Sequence, residues 1–190
     1  MNILTGAGDY GSGFAVENGY IVTNYHVLYA SPEDITVITC EKEEYPAVVL
    51  GYDESADIAL LEIDVKLEPS VLGDSVTVGE TVTAVGNPYG NLSFAMVFGL
   101  VLDVNEELLD TIDKNRQFLH FDGDAVSGFS GGPVYNAYDE VIGVLNGRYT
   151  WDLSAYDFDC LCRIIPINTV KKASQRSWIG ERCSDLWTGT

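Results

Sequence analysis

Three short stretches of this chain carry residue types that could perform nucleophilic chemistry together. The first is Gly128-Phe129-Ser130-Gly131-Gly132-Pro133. A serine hydroxyl is a poor nucleophile until a base takes its proton, and the tetrahedral oxyanion it creates needs hydrogen-bond donors. Glycines on both sides of Ser130 let the backbone turn tightly, project the hydroxyl and converge main-chain N–H groups on one point. The second stretch, Thr23-Asn24-Tyr25-His26-Val27, follows a β-branched run and carries one of only two histidines. The third is Asp57-Ile58-Ala59-Leu60-Leu61, where a carboxylate stands at the mouth of an apolar strand and can orient an imidazole. The roles fit together: Ser130 attacks, His26 takes and returns the proton, and Asp57 fixes the tautomer and stabilises the imidazolium. Each residue alone also reads as a loop serine, a structural histidine or a turn aspartate. It is the three together that carry the reading. Their order argues against an α/β-hydrolase, in which the serine precedes the acid and the histidine. The other histidine, His120, has no motif around it and reads as structural or surface.

The elements around these residues read as strands. Short runs such as Ile35-Thr36-Val37-Ile38-Thr39, Ala47-Val48-Val49-Leu50, Val76-Thr77-Val78, Thr81-Val82-Thr83-Ala84-Val85 and Val141-Ile142-Gly143-Val144-Leu145 alternate with turn residues, and 19 glycines are spread through the chain. This predicts an all-β barrel or sandwich. Residues 168–177 alone look helical, with Asn168 as the N-cap and Val170, Ala173 and Ile167 on one face. Residues 105–117, rich in Asp and Glu, read as a flexible excursion.

The three stretches together resemble a chymotrypsin-fold serine protease. The HtrA/Deg-type branch is the nearer match through Gly11-Ser12-Gly13-Phe14, Val85-Gly86-Asn87-Pro88-Tyr89-Gly90, Phe121-Asp122 and Ile165-Pro166-Ile167-Asn168-Thr169-Val170-Lys171-Lys172. The resemblance runs in order over about residues 8–175. It implies two antiparallel six-stranded β-barrels, over about residues 8–68 and 75–167, with a helix at 168–177. The break between them is expected around residues 63–79. His26 and Asp57 then come from the first barrel and Ser130 from the second, with the cleft between. The implied activity is a serine endopeptidase that hydrolyses unfolded or damaged proteins through an acyl-enzyme. The alternative is a catalytically silent protease-like module that holds peptides in the same cleft. No cofactor or metal is expected, and a homotrimer is the assembly such proteases suggest.

Two departures from the family pattern matter. Phe129 stands where HtrA-like proteases usually have asparagine and zymogen-activated relatives have aspartate, so its ring either packs under the loop or covers the site. The N–H groups of Gly128 and Ser130 remain the candidate oxyanion donors. The substrate pocket is expected to be walled by Asp124-Ala125-Val126 and Asn146-Gly147-Arg148. Asp124 falls where basic-selective proteases of this fold carry a pocket aspartate, but Arg148 nearby could neutralise it, which favours a neutral, apolar pocket. Residues 175–186 are similar to the linker and opening strand of a PDZ domain, which makes the tail at 178–190 the start of one, or else they extend the helix into a plain tail.

Composition narrows the partners. With 29 acidic and 10 basic residues the formal charge is −19, so no basic patch can follow a phosphate backbone and nucleic acid is a poor partner. Anionic membrane surfaces are disfavoured for the same reason. The opening residues Met1-Asn2-Ile3-Leu4-Thr5-Gly6 lack the basic start and apolar run of a signal peptide. HtrA-like proteases usually work outside the cytoplasm. Either an export segment was removed from this chain, or the protein stays inside. Of the four cysteines, Cys160 and Cys162 lie two apart and would bridge only with strain, while Cys40 and Cys183 are distant in sequence. Buried free thiols are the default expectation.

Overall fold

A computed structural model describes residues 1–17, 19–74, 76–91, 94–102, 118–149 and 160–176. The strands fall into two sheets. The first contains β1 (Asn2–Thr5), β2 (Tyr10–Ser12), β3 (Phe14–Glu17), β4 (Tyr20–Thr23), β5 (Ile35–Ile38), β6 (Glu44–Asp53) and β7 (Ile58–Ile63). Its antiparallel order is β2-β1-β5-β6-β7-β4-β3. The two segments at opposite ends of that order, β2 and β3, are consecutive in the chain and are joined through Gly13. They are halves of one bent strand, so seven segments make six strands that roll almost to closure. The second sheet contains β8 (Thr81–Gly86), β9 (Ala95–Leu102), β10 (Leu119–Phe121), β11 (Pro133–Tyr135), β12 (Val141–Tyr149) and β13 (Leu161–Pro166). It closes as a barrel in the order β10-β13-β12-β11-β8-β9. The two-barrel, chymotrypsin-type architecture expected from the sequence is the one observed.

Alternation along the strands puts apolar side chains inside each barrel. Ile3, Ile21, Val37, Ala59 and Leu61 fill the first, and Val82, Ala84, Phe121, Val134, Leu145 and Ile164 fill the second. A third cluster joins the two, with Phe14, Val22, Ile58 and Leu60 meeting Val141, Val144 and Ile165. This shared core fixes the barrels relative to one another, and with them the cleft. The C-terminal helix α2, Ile167–Arg176, docks Ile167 and Val170 into the same cluster. It starts at Ile167, which puts Asn168 inside the first turn and not at the N-cap. Burial of Ile167 outweighs the capping preference of Asn168 there.

Three further expectations need adjustment. Val76-Thr77-Val78 is not a strand: the chain turns there, with Thr77 Oγ1 donating to Glu80 and Gly79 N–H to Val101 O, although Val76 itself is buried. Among the described residues, Cys40 is exposed on the turn after β5, Cys160 is half-buried and Cys162 is buried. Burial, above all, pushes the Cys162 thiol up to about 11. His120 is buried on β10 of the second barrel, where desolvation first and the Arg163 charge second hold its imidazole down at about 4. Cys183, the excursion at 105–117 and the tail at 178–190 lie outside the described residues. Among the described residues, no helix is long and apolar enough to cross a membrane.

Candidate active site

His26 sits on a single helical turn, α1 (Tyr25–Leu28), launched from the end of β4. Val27 and Leu28 of that turn are buried, which anchors it and leaves the imidazole at the cleft, 48% exposed. Opposite it, the tight turn before β7 puts Asp57 in a left-handed conformation, φ 56°. A non-glycine residue in that region costs of order 1 kcal/mol and needs its surroundings to hold it. Here they do. The main-chain carbonyl of Asp57 accepts from Asn24 Nδ2 at 3.0 Å and from Tyr25 N–H at 3.2 Å. Its Oδ1 accepts from His26 N–H at 2.9 Å. Its Oδ2 lies 2.7 Å from His26 Nδ1 and accepts from Asn146 Nδ2 at 2.5 Å. An ionised carboxylate only accepts, so this contact assigns the proton to Nδ1 and leaves the Nε2 lone pair of a neutral ring facing away from Asp57.

The second barrel contributes the loop that carries Ser130. Every carbonyl from Ser127 to Ser130 is occupied. Ser127 O accepts from Tyr89 N–H (2.8 Å), Gly128 O from the Ser12 hydroxyl (2.7 Å), Phe129 O from Gly132 N–H (2.9 Å) and Ser130 O from Ser12 N–H (2.7 Å). In a trans peptide the N–H points opposite to the carbonyl, so pinning one end aims the other. Phe129 N–H turns to Val126 O and Gly131 N–H to Leu145 O, whereas the N–H groups of Gly128 and Ser130 have no acceptor among the described residues. Two aimed and unused donors flanking a serine are what an oxyanion site requires. Glycine is needed at two of these positions. Gly128 has φ 100° and a Cβ there would run into Asn87 O, while Gly131 has φ 84° and a Cβ would meet Ser12 O and Thr23 Oγ1.

Phe129 does not cover the site. Its ring is 2% exposed and packs beneath the loop, against Gly86, within the core of the second barrel. Ser130 Oγ donates to the main-chain oxygen of Asn146 at 3.2 Å and not to His26. Asn146 therefore touches both halves of the arrangement, Ser130 through its carbonyl and Asp57 through its side-chain amide. That placement differs from the pocket wall the sequence suggested. Its amide is turned away to Asp57 because that buried carboxylate, 4% exposed, needs a donor where water cannot supply one.

Beside Ser130 lies a cavity of about 250 Å³ lined by Tyr89, Ala125, Val126, Ser127, Phe129, Ser130, Leu145, Gly147 and Arg148. Of the expected pocket residues, Ala125, Val126, Gly147 and Arg148 line it, and Asp124 and Asn146 do not. Asp124 is 69% exposed and its carboxylate takes a 2.5 Å hydrogen bond from Arg148 Nη1. Ser12, Asn24 and Tyr89, the last through its N–H, also frame the site. Sequence reasoning placed these three within motifs but gave them no role of their own. The polar types of Ser12 and Asn24 beside buried runs were the signal available for them. Among the described residues, no group of His, Cys, Asp and Glu is arranged to hold a metal ion.

Comparison with known proteins agrees with this architecture. The chain is 40% identical over 141 residues to a probable periplasmic DegP-like serine endoprotease of Rickettsia conorii, a match covering 70% of this chain and 27% of that protein. A protein of the same description from Pseudomonas fluorescens is 33% identical over 183 residues, 94% of this chain and 37% of its own length. The chain thus spans well under half of these relatives. Among solved structures, the serine endoprotease of Yersinia pestis superposes with a TM-score of 0.74 at 27% identity, covering 90% of this chain and 59% of that one. The active form of the Rv3671c protease of M. tuberculosis shares the fold, with a TM-score of 0.77 at 22% identity, covering 90% of this chain and 77% of that one. Residues 11–144 match the family model of the trypsin-like peptidase domain, and the chain belongs to that family.

Proposed function

We propose that the chain is a serine endopeptidase in which Ser130 is the nucleophile, His26 the general base and acid, and Asp57 the residue that orients His26. The observation that carries the reading is the connected set Ser130–Asn146–Asp57–His26 beside two unused N–H donors. In this mechanism the Ser130 hydroxyl leaves Asn146 O and turns to His26 Nε2. Its oxygen then attacks the scissile carbonyl carbon as the proton passes to Nε2, and the oxyanion accepts from Gly128 and Ser130 N–H. Collapse of the intermediate expels the amine, which takes the proton from His26, and water then releases the acyl group by the same route. A silent peptide-binding role makes no use of these donors or of a buried carboxylate behind the histidine.

The proposed pocket is neutral. Asp124 does not line the cavity but is ion-paired with Arg148, which does, so the pair offsets the Arg148 charge there and the apolar walls are Ala125, Val126, Leu145 and Gly147. Such walls suit Val, Ala or Leu before the cut, and one methylene more or less changes selectivity by only ~1–3 kcal/mol. Broad cleavage of that kind fits unfolded polypeptide substrates. The DegP-like relatives are named periplasmic, and an extracytoplasmic location with such substrates is the reading they support for this chain. A homotrimer rests on the family resemblance and is checked by light scattering.

A fluorophosphonate probe followed by peptide mapping tests the core of the proposal. Label on Ser130, lost in His26→Ala, is the expected result, and an unlabelled folded protein points to the silent module. A peptide-library digest tests the pocket: dominant cleavage after Lys or Arg, abolished by Asp124→Ala, overturns its neutrality.

A further inference from the structure

Ser12 is only 1% exposed, lies in the first barrel, and has every polar group of its own engaged across or beside the cleft. Its hydroxyl donates to Gly128 O at 2.7 Å and accepts from Asn87 N–H at 2.9 Å. Its N–H donates to Ser130 O at 2.7 Å, and its carbonyl accepts from Thr23 Oγ1 at 2.8 Å. One residue of the first barrel thus holds two of the four carbonyls of the loop that carries Ser130. We infer that Ser12 is a positioning residue for oxyanion binding: its hydroxyl holds Gly128 O and the Asn87 N–H together, and through Asn87-Pro88-Tyr89 it keeps the Tyr89 N–H on Ser127 O, the contact that aims the Gly128 N–H. The inference rests on the reading of Ser130 as nucleophile.

The reason lies in backbone freedom. Gly128 stands between two peptide units, and a glycine lets either of them rotate at little steric cost. The unit on its N-terminal side is held by Tyr89 N–H on Ser127 O. The unit on its C-terminal side is held at its carbonyl by the Ser12 hydroxyl, alone among the side chains of the described residues, with Phe129 N–H bonded weakly at 3.2 Å to Val126 O. Without the hydroxyl, Gly128 O is left buried without a donor, and the peptide gains by rotating to find one. Asn87 N–H would lose its acceptor at the same moment. The Gly128 N–H lies in the preceding unit, and release of Asn87 N–H loosens the Asn87-Pro88-Tyr89 segment whose Tyr89 N–H holds Ser127 O and so keeps the Gly128 N–H on the oxyanion position. The main-chain bond from Ser12 N–H to Ser130 O survives any side-chain change, so the nucleophile itself stays in register. This predicts a selective defect: transition-state stabilisation falls while substrate binding holds.

The test compares Ser12→Ala and Ser12→Cys with the wild type on a peptide substrate, with melting temperature, KM, kcat and fluorophosphonate labelling rate read in parallel. A thiol reaches in the same direction as the hydroxyl, is somewhat larger and is a weak donor. The expected result is a kcat lower by roughly 10–10²-fold in Ser12→Ala, an intermediate loss in Ser12→Cys, KM within about threefold, and slower labelling of Ser130 in the same order. Affinity for a peptide boronate, which presents a tetrahedral oxygen to the site, should fall in step with kcat. Wild-type kcat in either folded variant overturns the inference, and so does a loss carried in KM with boronate affinity unchanged. Should Ser12→Ala not fold, Ser12→Cys alone decides by the same readouts. If the wild type itself takes no label, it is the nucleophile assignment that fails and not the role of Ser12.

Discussion

The two sides of the cleft are held by different means. On the first-barrel side, side chains do the holding: Asp57 receives Asn24, His26 and Asn146, and each contact depends on a particular side-chain type. On the second-barrel side, main-chain groups carry most of the load, with Tyr89, Val126, Gly132 and Leu145 contributing only N–H or C=O. The difference explains why an unusual Phe129 fits beside Ser130. A loop held by its backbone accepts a new side chain provided the ring finds a core to enter, and the second barrel supplies one. It also teaches where each side is fragile. The acid–base side should lose function when one side chain changes type, and the nucleophile side should lose stability first, unless Ser130 or the Ser12 hydroxyl that holds its loop is touched.

Replacing the proposed reacting groups sharpens the contrast most. Ser130→Ala, His26→Ala and Asp57→Asn should each cut kcat by roughly 10³–10⁶-fold in a protein that still melts normally, with combined losses far from additive. Steady-state kinetics beside thermal unfolding checks this, and near-wild-type turnover in Ser130→Ala would end the nucleophile assignment. Phe129→Ala probes the other side. Removing a ring this deeply buried should cost ~3–5 kcal/mol of stability, read as a lower denaturant midpoint. An unchanged midpoint with lost activity would show that the ring serves catalysis and not packing.

The two histidines extend the comparison to pH. His120 is buried with its folded value down at about 4 against an ordinary 6.5, so the unfolded chain binds more protons between those values. Stability from this group is fully present above about pH 6.5 and is lost as pH falls towards 4, by about 3 kcal/mol in all. Unfolding measured across that window should show the slope in the wild type, and His120→Phe should flatten it. A variant with the same slope would clear His120 of the effect. Asn146→Ala is the smallest change. Loss of one donor to a buried carboxylate is worth roughly 1.5–3 kcal/mol, so kcat should drop between about tenfold and a hundredfold with KM little moved. Equal losses of kcat/KM and melting temperature, with kcat itself intact, would reduce Asn146 to a structural role.

Much of this was legible in the order of residues. β-branched runs broken by turn residues specify strands, because side-chain period and turn chemistry are local properties. The His26, Asp57 and Ser130 stretches stand out because few residue types can perform their chemistry. Helix α2 was legible for the same local reason, though its first residue was not, since Ile167 enters the helix to fill a space made by residues of both barrels. Val76-Thr77-Val78 had strand composition and became a turn, with Thr77 Oγ1 bonded to Glu80 and Gly79 N–H to Val101 O on the neighbouring strand β9.

Tertiary structure alone decided the partners. Nothing in Asn146-Gly147-Arg148 says that the first side chain turns to a carboxylate 89 positions away while the third reaches back to Asp124. Nor does Gly11-Ser12-Gly13 say that the serine meets a carbonyl 116 positions on. Those contacts arise where two barrels, each built by its own alternating pattern, close on one another. Hydrogen bonding is short-ranged and directional, so its pairings become defined only once packing has brought the barrels into contact.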